Sequence, residues 1–403
     1  MTEKLATLPI HPFPARMASS LVWEYLPDSE QPLKILDPMM GSGTTIVSAR
    51  TKGHIGLGFD IDPLARLIAE VWCTTVDVEM VRHRASVVLE RARKRSEAIH
   101  TKNAYPAKTD KQLHDFIDYW FDSASRVQLW SLATSISRVR DVTQRNVLWC
   151  AFSRLIVTKK VGASLAMDVS HSRPHKKYTV SPIKPFDKFL SSVEYIARRI
   201  PFNQESDLQH PASIIGDSDA RELSVRSRSI DLIITSPPYL NAIDYLRGHK
   251  LTLVWMGYSL SQIRNLRSGS IGSEISREPF SSDVSNAMKN SGDVKLLSSR
   301  HQGILVNYLN DMRKAILEMK RVIKPNGRVV LVIGNSSIRN VFIDNSKSLE
   351  YLCKKAGFLL VKKQIRNLPE RHRYLPSPSY KTSGTKMQKR MKEEVILVFK
   401  SLR

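Results

Sequence analysis

Short apolar runs alternate with amphipathic stretches on both sides of the middle of the chain. Each run is rich in Ile, Leu and Val and bounded by Gly, Pro, Asn or Asp, which is typical of buried strands. The predicted strands are 33–36, 55–59, 230–234 and 328–333, with 358–365 and 395–399 as a closing antiparallel pair. Amphipathic stretches at 308–322 and 346–356 predict helices between the later strands. This alternation predicts a doubly wound, mainly parallel, Rossmann-like α/β sheet with helices on both faces.

The middle of the chain has a different pattern. Between residues 75 and 204 the strand and glycine signals stop, and apolar residues recur at helical spacing over 78–100 and 113–157. We therefore predict a mainly helical insertion at 76–204, between two parts of one α/β domain, 1–75 and 205–403. A later stretch, 259–299, is rich in Ser, Gly and Asn, and we expect it to be mobile.

A glycine-rich turn, Asp-Pro-Met-Met-Gly-Ser-Gly-Thr-Thr, follows the first predicted strand at 37–45. Gly41 and Gly43 allow a ligand to approach the backbone, and Thr44 and Thr45 are predicted to cap the next helix. Asp60 ends the second strand about twenty residues downstream, the spacing of a ribose-binding carboxylate. A phosphate-binding loop would need Lys after Gly43, and a dinucleotide fold would need glycine at 46, which is Ile. The spacing therefore predicts a different nucleoside-bearing cofactor.

A second loop, Thr-Ser-Pro-Pro-Tyr at 235–239, directly follows the apolar run 230–234. Two prolines after a buried strand indicate a rigid, extended exit from the sheet, because proline fixes φ and donates no hydrogen bond. Such a loop presents acceptor oxygens beside an aromatic ring. An exocyclic amine on a nucleobase needs acceptors in its plane and a ring above it.

Together, the two loops resemble those of the DNA amino-methyltransferases. In that family Ser-Pro-Pro-Tyr accompanies methylation of cytosine N4, whereas Asp-Pro-Pro-Tyr accompanies methylation of adenine N6. The resemblance covers roughly 8–75 and 205–403, and implies the sheet of class I methyltransferases and S-adenosylmethionine as cofactor. It also implies that Ser236 and the carbonyl of Pro237 accept from the target amine, with Tyr239 stacked on the base. The catalytic residues implied are Ser236, Pro237, Pro238 and Tyr239.

The same resemblance implies a cofactor site. The glycine-rich turn would hold the methionine end of the cofactor, and Asp60 the ribose hydroxyls. Asp217, after the short apolar segment 214–216, would accept from the adenine amino group, and Phe13 would form a hydrophobic wall. The residues implied are Phe13, Asp37, Pro38, Gly41, Ser42, Gly43, Thr44, Thr45, Asp60, Asp217 and Thr235.

The formal charge of +24 favours a polyanionic partner, and DNA is the expected one. Two segments concentrate exposed donors that suit phosphates or base edges. One is the loop 171–178, and the other is the stretch 361–392, which has ten Lys and Arg against one acidic residue. The predicted nucleic-acid contacts are Arg173, His175, Lys176, Lys177, Arg371, Arg373, Lys386 and Lys389.

Other chemistry receives little support from the sequence. Cys73, Cys150 and Cys353 are scattered, which predicts neither disulfides nor zinc, and Pro174 between His171 and His175 argues against a metal site. No Pro-Cys pair is present, which excludes the cysteine chemistry of the methyltransferases that act on ring carbons. No apolar stretch of about twenty residues predicts a membrane span, and no signal peptide is evident, so we expect a cytoplasmic protein.

Several functions remain open at this point. Adenine N6 methylation and RNA base N-methylation would use the same cofactor half, and a nucleic-acid-binding protein without catalysis is the alternative outside enzymes. Intact glycines and an intact Ser-Pro-Pro-Tyr loop favour an enzyme. Restriction-modification or a related defence role, with a cognate endonuclease as partner, is the expected context.

Overall fold

The computed structural model describes residues 6, 8–14, 16–106, 110–203, 207, 209–240, 244–272, 281–339, 341–367 and 393–402. The strands are β1 Lys34–Asp37, β2 Ile55–Phe59, β3 Ala166–Met167, β4 His175–Lys176, β5 Ile214–Gly216, β6 Ile230–Thr235, β7 Ile323–Gly334, β8 Ser336–Ile338, β9 Val341–Ile343, β10 Phe358–Asn367 and β11 Glu393–Ser401. The α-helices are α1 Ser19–Tyr25, α2 Thr44–Thr51, α3 Pro63–Cys73, α4 Val78–Ala98, α5 Lys111–Trp120, α6 Ser123–Ser137, α7 Val142–Ile156, α8 Pro185–Ala197, α9 Tyr245–Leu253, α10 Leu260–Gly269, α11 Ser282–Asn290, α12 Ser299–Val322 and α13 Asn345–Lys355.

Seven strands form one sheet in the order β10-β11-β7-β6-β1-β2-β5. β11 runs antiparallel to both of its neighbours, and the pairs from β7 to β5 are parallel. β1, β2 and β5 form one side of the sheet in chain order. β6, β7 and β10 form the other side, and β11 inserts between β7 and β10. The predicted fold is confirmed: this is a doubly wound, mainly parallel, Rossmann-like sheet.

Alternation along the central strands explains why both faces of the sheet are covered. Ile233 of β6 packs into a core with α12 and α13, whereas its neighbours Leu232 and Ile234 pack into a second core with α1. All three side chains are at most 5% exposed. A strand buried on both faces appears in the sequence as a continuous apolar run, which is why β6 could be predicted.

The stretch between β2 and β5 is mainly helical, as the sequence predicts. It contains α4 to α8 and the two-stranded ribbon of β3 and β4. These helices share one hydrophobic cluster with α2, α3 and α9. They are therefore packed onto the helices of the sheet through a common core, and not only linked to them by the chain.

The Ser-rich stretch 259–299, expected to be mobile, is largely helical in its described parts, and residues 273–280 lie outside the described residues. α10 begins at a capping box in which Ser259 and Gln262 bond each other's backbone amides, and α11 begins at the Ser281 cap. The spacing of Ser259 and Gln262 is the sequence signal of a helix start that the composition obscured.

Candidate active site

The carboxyl ends of β1 and β6 meet at the centre of the sheet, where the strand order reverses. The buried carboxylate of Asp37, at the end of β1, accepts from Thr235 Oγ1 at 2.6 Å and from Thr45 Oγ1 at 2.8 Å. Burial raises the pKa of Asp37 to about 6, against the lowering effect of those hydrogen bonds. Crevices at such a reversal are the usual ligand sites of open α/β sheets.

The glycine-rich turn and Phe13 form one side of this crevice. Gly41 has φ +51°, and a Cβ there would lie 3.2 Å from Cε1 of Phe13. The Phe13 ring stacks on Tyr245 of α9, with centroids 5.5 Å apart, and contacts the ring of His249. Phe13 therefore covers the turn, as a hydrophobic wall of the cavity.

Asp60 follows β2 and faces the same crevice. Its carboxylate accepts from the backbone amides of Gly41 at 3.0 Å and Asp62 at 2.9 Å. Burial, together with the nearby charge of Asp62, raises the pKa of Asp60 to about 7. Asp62 is held in turn by His249 Nδ1 at 2.5 Å, which ties the cofactor side of the crevice to α9.

Two predicted helix caps in the turn are corrected by the structure. The N-cap of α2 is Gly43, at φ +87°, so Thr44 and Thr45 lie inside the helix and neither caps it. Thr45 instead donates to Asp37. A Cβ on Gly43 would lie 2.8 Å from the Cβ of Ala69, so the lack of a side chain at Gly43 permits close packing on α3.

The Ser-Pro-Pro-Tyr loop follows the end of β6 without regular secondary structure. Ser236 Oγ donates to the carbonyl of Val332 at 3.0 Å. The Tyr239 hydroxyl donates to Oε1 of Glu394, on β11, at 3.1 Å. The Tyr239 ring also lies over Gly334, where a Cβ would come within 2.8 Å of the ring. The loop is thus fixed at the side chains of both Ser236 and Tyr239.

Burial favours the neutral forms of both Tyr239 and Glu394, because it raises the pKa of each. It raises the pKa of Tyr239 well above its usual value, and the nearby carboxyl of Glu394 adds to the effect. Burial also raises the pKa of Glu394, although the bond from Tyr239 opposes that shift. Tyr239 is accordingly a fixed ring with a neutral hydroxyl.

One continuous cavity of about 1030 Å³ joins the two loops. This is at the upper end of the roughly 300–1000 Å³ typical of small-molecule sites, so the cavity has room for more than one ligand. Predicted residues in its wall are Phe13, Asp37, Pro38, Gly41, Ser42, Thr44, Asp60, Arg173, Ser236, Pro238 and Tyr239.

Other predicted residues lie outside this wall. Thr45 and Thr235 are fully buried behind it and bond Asp37, and Pro237 is also buried. The Asp217 side chain is 68% exposed and pairs with Arg66. The acid after β5 that lines the cavity is Asp219, whose carboxylate is bonded by Arg221.

The predicted nucleic-acid residues divide into three groups. Arg173 is exposed and lines the cavity. His175, Lys176 and Lys177 are exposed on and after β4, outside the wall. The other four predicted contacts, Arg371, Arg373, Lys386 and Lys389, lie outside the described residues.

Several cavity residues were not predicted from the sequence. They are Tyr245 and Arg247 of α9 and Arg264 and Arg267 of α10. Glu394, which bonds Tyr239 from outside the cavity wall, was not predicted either. The capping box of α10 was the available signal for the two arginines of that helix. Nothing in the sequence pairs Glu394 with a tyrosine 155 positions earlier.

Within the described part of the chain, no group of three or more His, Cys, Asp and Glu side chains could hold a metal ion. Nor is any helix among those residues both long enough and apolar enough to cross a membrane.

No known protein-family model matches the chain. Among curated proteins, M.MvaI of Kocuria varians is 23% identical over 97% of this chain and 90% of that protein. M.MjaII of Methanocaldococcus jannaschii is 22% identical over 90% of this chain and 77% of that protein. M.BsoBI of Geobacillus stearothermophilus is 25% identical over 60% of this chain and 50% of that protein. All three relatives are Type II methyltransferases.

Solved structures resemble the chain only distantly. A putative DNA modification methylase of Thermus thermophilus, complexed with S-adenosyl-L-methionine, is 17% identical over 46% of this chain and 54% of that one, with a TM-score of 0.26. A SAM-dependent methyltransferase of Methanosarcina mazei is 11% identical over 95% of this chain and 97% of that one, with a TM-score of 0.34. The strand order β10-β11-β7-β6-β1-β2-β5 by itself defines the fold.

Proposed function

We propose that this protein is an S-adenosylmethionine-dependent DNA methyltransferase that methylates the exocyclic N4 amine of cytosine. The observation that carries the proposal is the single cavity, with Gly41 and Asp60 in one part of its wall and Ser236 and Tyr239 in another. Methyl donor and methyl acceptor could meet there without crossing solvent. The similarity to Type II methyltransferases along most of the chain supports the same class of enzyme.

The residues on the cofactor side fit S-adenosylmethionine. Gly41 leaves a cradle beside Phe13 that a side chain would fill, and the carboxylate of Asp60 can accept from ribose hydroxyls. Phe13 offers an aromatic face. When bound, S-adenosylmethionine supplies an electrophilic methyl group on a sulfonium centre.

Ser236 is suited to accept a hydrogen bond from the target amine. Its single hydroxyl proton is donated to the Val332 carbonyl, so only its lone pairs remain for a ligand in the cavity. An exocyclic amine is a weak nucleophile because its lone pair is delocalised into the ring. An acceptor that draws an N–H out of conjugation exposes that lone pair. Pro237 is outside the cavity wall, so the proposal assigns this role to Ser236.

Tyr239 would hold the base. Its hydroxyl is used by Glu394 and its ring lies over Gly334, so the remaining ring surface is fixed in the cavity wall. A base in duplex DNA must leave the stack to reach such a depth, at a cost of a few kcal/mol. Stacking on a ring that is already immobilised offsets part of that cost, at roughly 1–3 kcal/mol per base.

The Ser236 acceptor and the Tyr239 ring do not distinguish cytosine N4 from adenine N6, because both target groups are exocyclic amines. The Ser-Pro-Pro-Tyr form of the loop supports cytosine. RNA bases would meet the same acceptors, and the similarity to Type II methyltransferases favours DNA. We further propose that segment 76–204, whose Arg173 lines the cavity, contributes to target recognition and that a cognate endonuclease is the functional partner.

The test is product analysis. Unmethylated plasmid DNA and total RNA are each incubated with the protein and S-adenosylmethionine that carries a labelled methyl group, digested to nucleosides and examined by mass spectrometry. The expected product is labelled N4-methylcytosine in DNA. Labelled N6-methyladenine would contradict the base assignment, and label in RNA alone would contradict the substrate. Binding of cofactor and DNA without any product would favour the non-catalytic alternative.

A further inference from the structure

Four exposed arginines from three segments line the cavity that contains Ser236 and Tyr239. Arg173 precedes β4, Arg247 lies on α9, and Arg264 and Arg267 lie on α10. The side chains of Arg247 and Arg267 are 52% and 57% exposed. We call these four residues the arginine rim. Exposed guanidinium groups at a cavity wall can contact a ligand that extends beyond the cavity into solvent.

The rim carries an excess of positive charge. Asp244 is its acidic partner: one carboxylate oxygen lies 2.6 Å from Nε of Arg267 and 3.7 Å from Nε of Arg247. Arg264 donates to the neutral side chain of Gln112 at 3.3 Å. Among the described residues, Arg173 and Arg264 have no carboxylate within ion-pair distance. Four cations against one carboxylate leave a local charge of about +3.

The other acids of the cavity are already engaged by groups away from the rim. Asp219 is bonded by Arg221, Asp62 by His249, Asp60 by two backbone amides, and Asp37 by Thr45 and Thr235. None of these four carboxylates forms an ion pair with a rim arginine among the described residues. An anionic ligand is the partner that this charge distribution favours.

Guanidinium groups match phosphate oxygens in planar, two-point hydrogen bonds, and contacts to phosphates position a nucleic acid without reading its sequence. We infer that the arginine rim binds the backbone phosphates on either side of the target nucleotide, while the base enters the cavity towards Ser236 and Tyr239. The inference rests on the proposed function and adds the surface that holds the DNA strand. Asp244 then acts as an internal competitor for the phosphates.

The test compares two variants of equal charge. The rim variant carries Arg247→Gln, Arg264→Gln and Arg267→Gln. The control carries Arg140→Gln, Lys188→Gln and Lys289→Gln, three exposed cations outside the cavity wall. Affinity for a fluorescent DNA duplex is measured by anisotropy over a series of salt concentrations. Each phosphate contact contributes about 0.9 to the log–log slope, so the rim variant should flatten the slope by about two to three and the control should leave it nearly unchanged.

A third variant is expected to bind DNA more tightly than the wild type, a result that misfolding would not produce. Asp244→Asn keeps an oxygen to cap α9 but removes the charge that opposes the rim. Affinity at low salt should rise, and the slope should steepen by up to about one. Equal slopes in the rim and control variants would overturn the inference, as would no gain in Asp244→Asn. So would loss of S-adenosylmethionine binding in the rim variant, because the rim would then hold the cofactor.

Failure of this inference differs from failure of the proposed function. If the wild type methylates DNA but the rim variant keeps its slope, the function stands and the rim assignment is wrong. If the wild type makes no methylated product but the rim variant loses salt-dependent DNA binding, the rim stands and the function is wrong. Tighter binding of an RNA strand of the same sequence, with the same flattening, would overturn DNA as the partner of the rim.

Discussion

Removal of the Glu394 carboxyl should slow methyl transfer through Tyr239, although Glu394 itself lies behind that ring. The Tyr239 hydroxyl donates to Glu394 at 3.1 Å, and the ring is confined on another side by Gly334. Because burial raises the pKa of Glu394, its carboxyl is ionised less readily than in water. We therefore take a contribution of about 1–2 kcal/mol for this hydrogen bond, between the values for a neutral and for a charged acceptor. If all of that free energy orients the ring, kcat/KM for Glu394→Ala should fall by about 5- to 30-fold.

The assay measures transfer of a labelled methyl group to plasmid DNA, with thermal unfolding of each variant measured in parallel. Glu394→Gln retains an acceptor of the same shape and should recover most of the activity. Tyr239→Phe should match Glu394→Ala, and the double variant should be no worse than either single one, because both remove the same bond. Additive losses in the double variant, or a Glu394→Gln enzyme as slow as Glu394→Ala, would refute the positioning role.

Three further predictions concern the cavity. Gly41→Ala should weaken S-adenosylmethionine binding in calorimetry by displacing Phe13, whereas Gly43→Ala should mainly lower the melting temperature, by an amount equivalent to about 2–5 kcal/mol of strain and overpacking. Ser236→Ala should retain cofactor and DNA binding but lower kcat by around a hundredfold for one lost transition-state hydrogen bond; unchanged turnover would exclude Ser236 as the acceptor. Cofactor affinity should rise with pH and level off above about 7, because ribose hydroxyls favour the ionised form of Asp60, whose pKa in the free protein is about 7. Calorimetry should detect release of a proton on cofactor binding, and this release should be absent in Asp60→Asn.

The sheet could be predicted because its strands are marked locally. β1, β2 and β6 are apolar runs that end in polar or glycine-rich loops, and the observed bounds differ from the expected ones by at most a residue or two. The chemistry at the strand ends was visible for the same reason. Asp37 is the last residue of β1, Asp60 and Ser236 directly follow β2 and β6, and parallel strands bring their carboxyl ends to one edge.

The rest of the site depends on contacts between distant parts of the chain. Glu394 meets Tyr239 only because β11 inserts between β7 and β10, which no local pattern specifies. Asp217 follows a strand, as the motif requires, yet Arg66 on α3 pairs with its carboxylate outside the cavity. The strand end was therefore predictable, but the direction of the side chain was not, because a neighbouring helix determines it.

The two glycines of the cofactor turn show why a motif does not assign roles to its members. Gly41 and Gly43 both have positive φ, yet a Cβ on the first would approach the Phe13 ring in the cavity, and a Cβ on the second would approach the backbone of Ala69 in α3. One position shapes the ligand site and the other sets how closely a helix packs. Loss of activity after substitution at Gly43 would therefore not demonstrate a cofactor contact. Only a variant that remains folded and binds less cofactor than a variant of equal stability can do so. Gly41 is the better position for that experiment, because a Cβ there meets the ring of Phe13 and not a packed helix, although its positive φ still adds about 1–2 kcal/mol of strain.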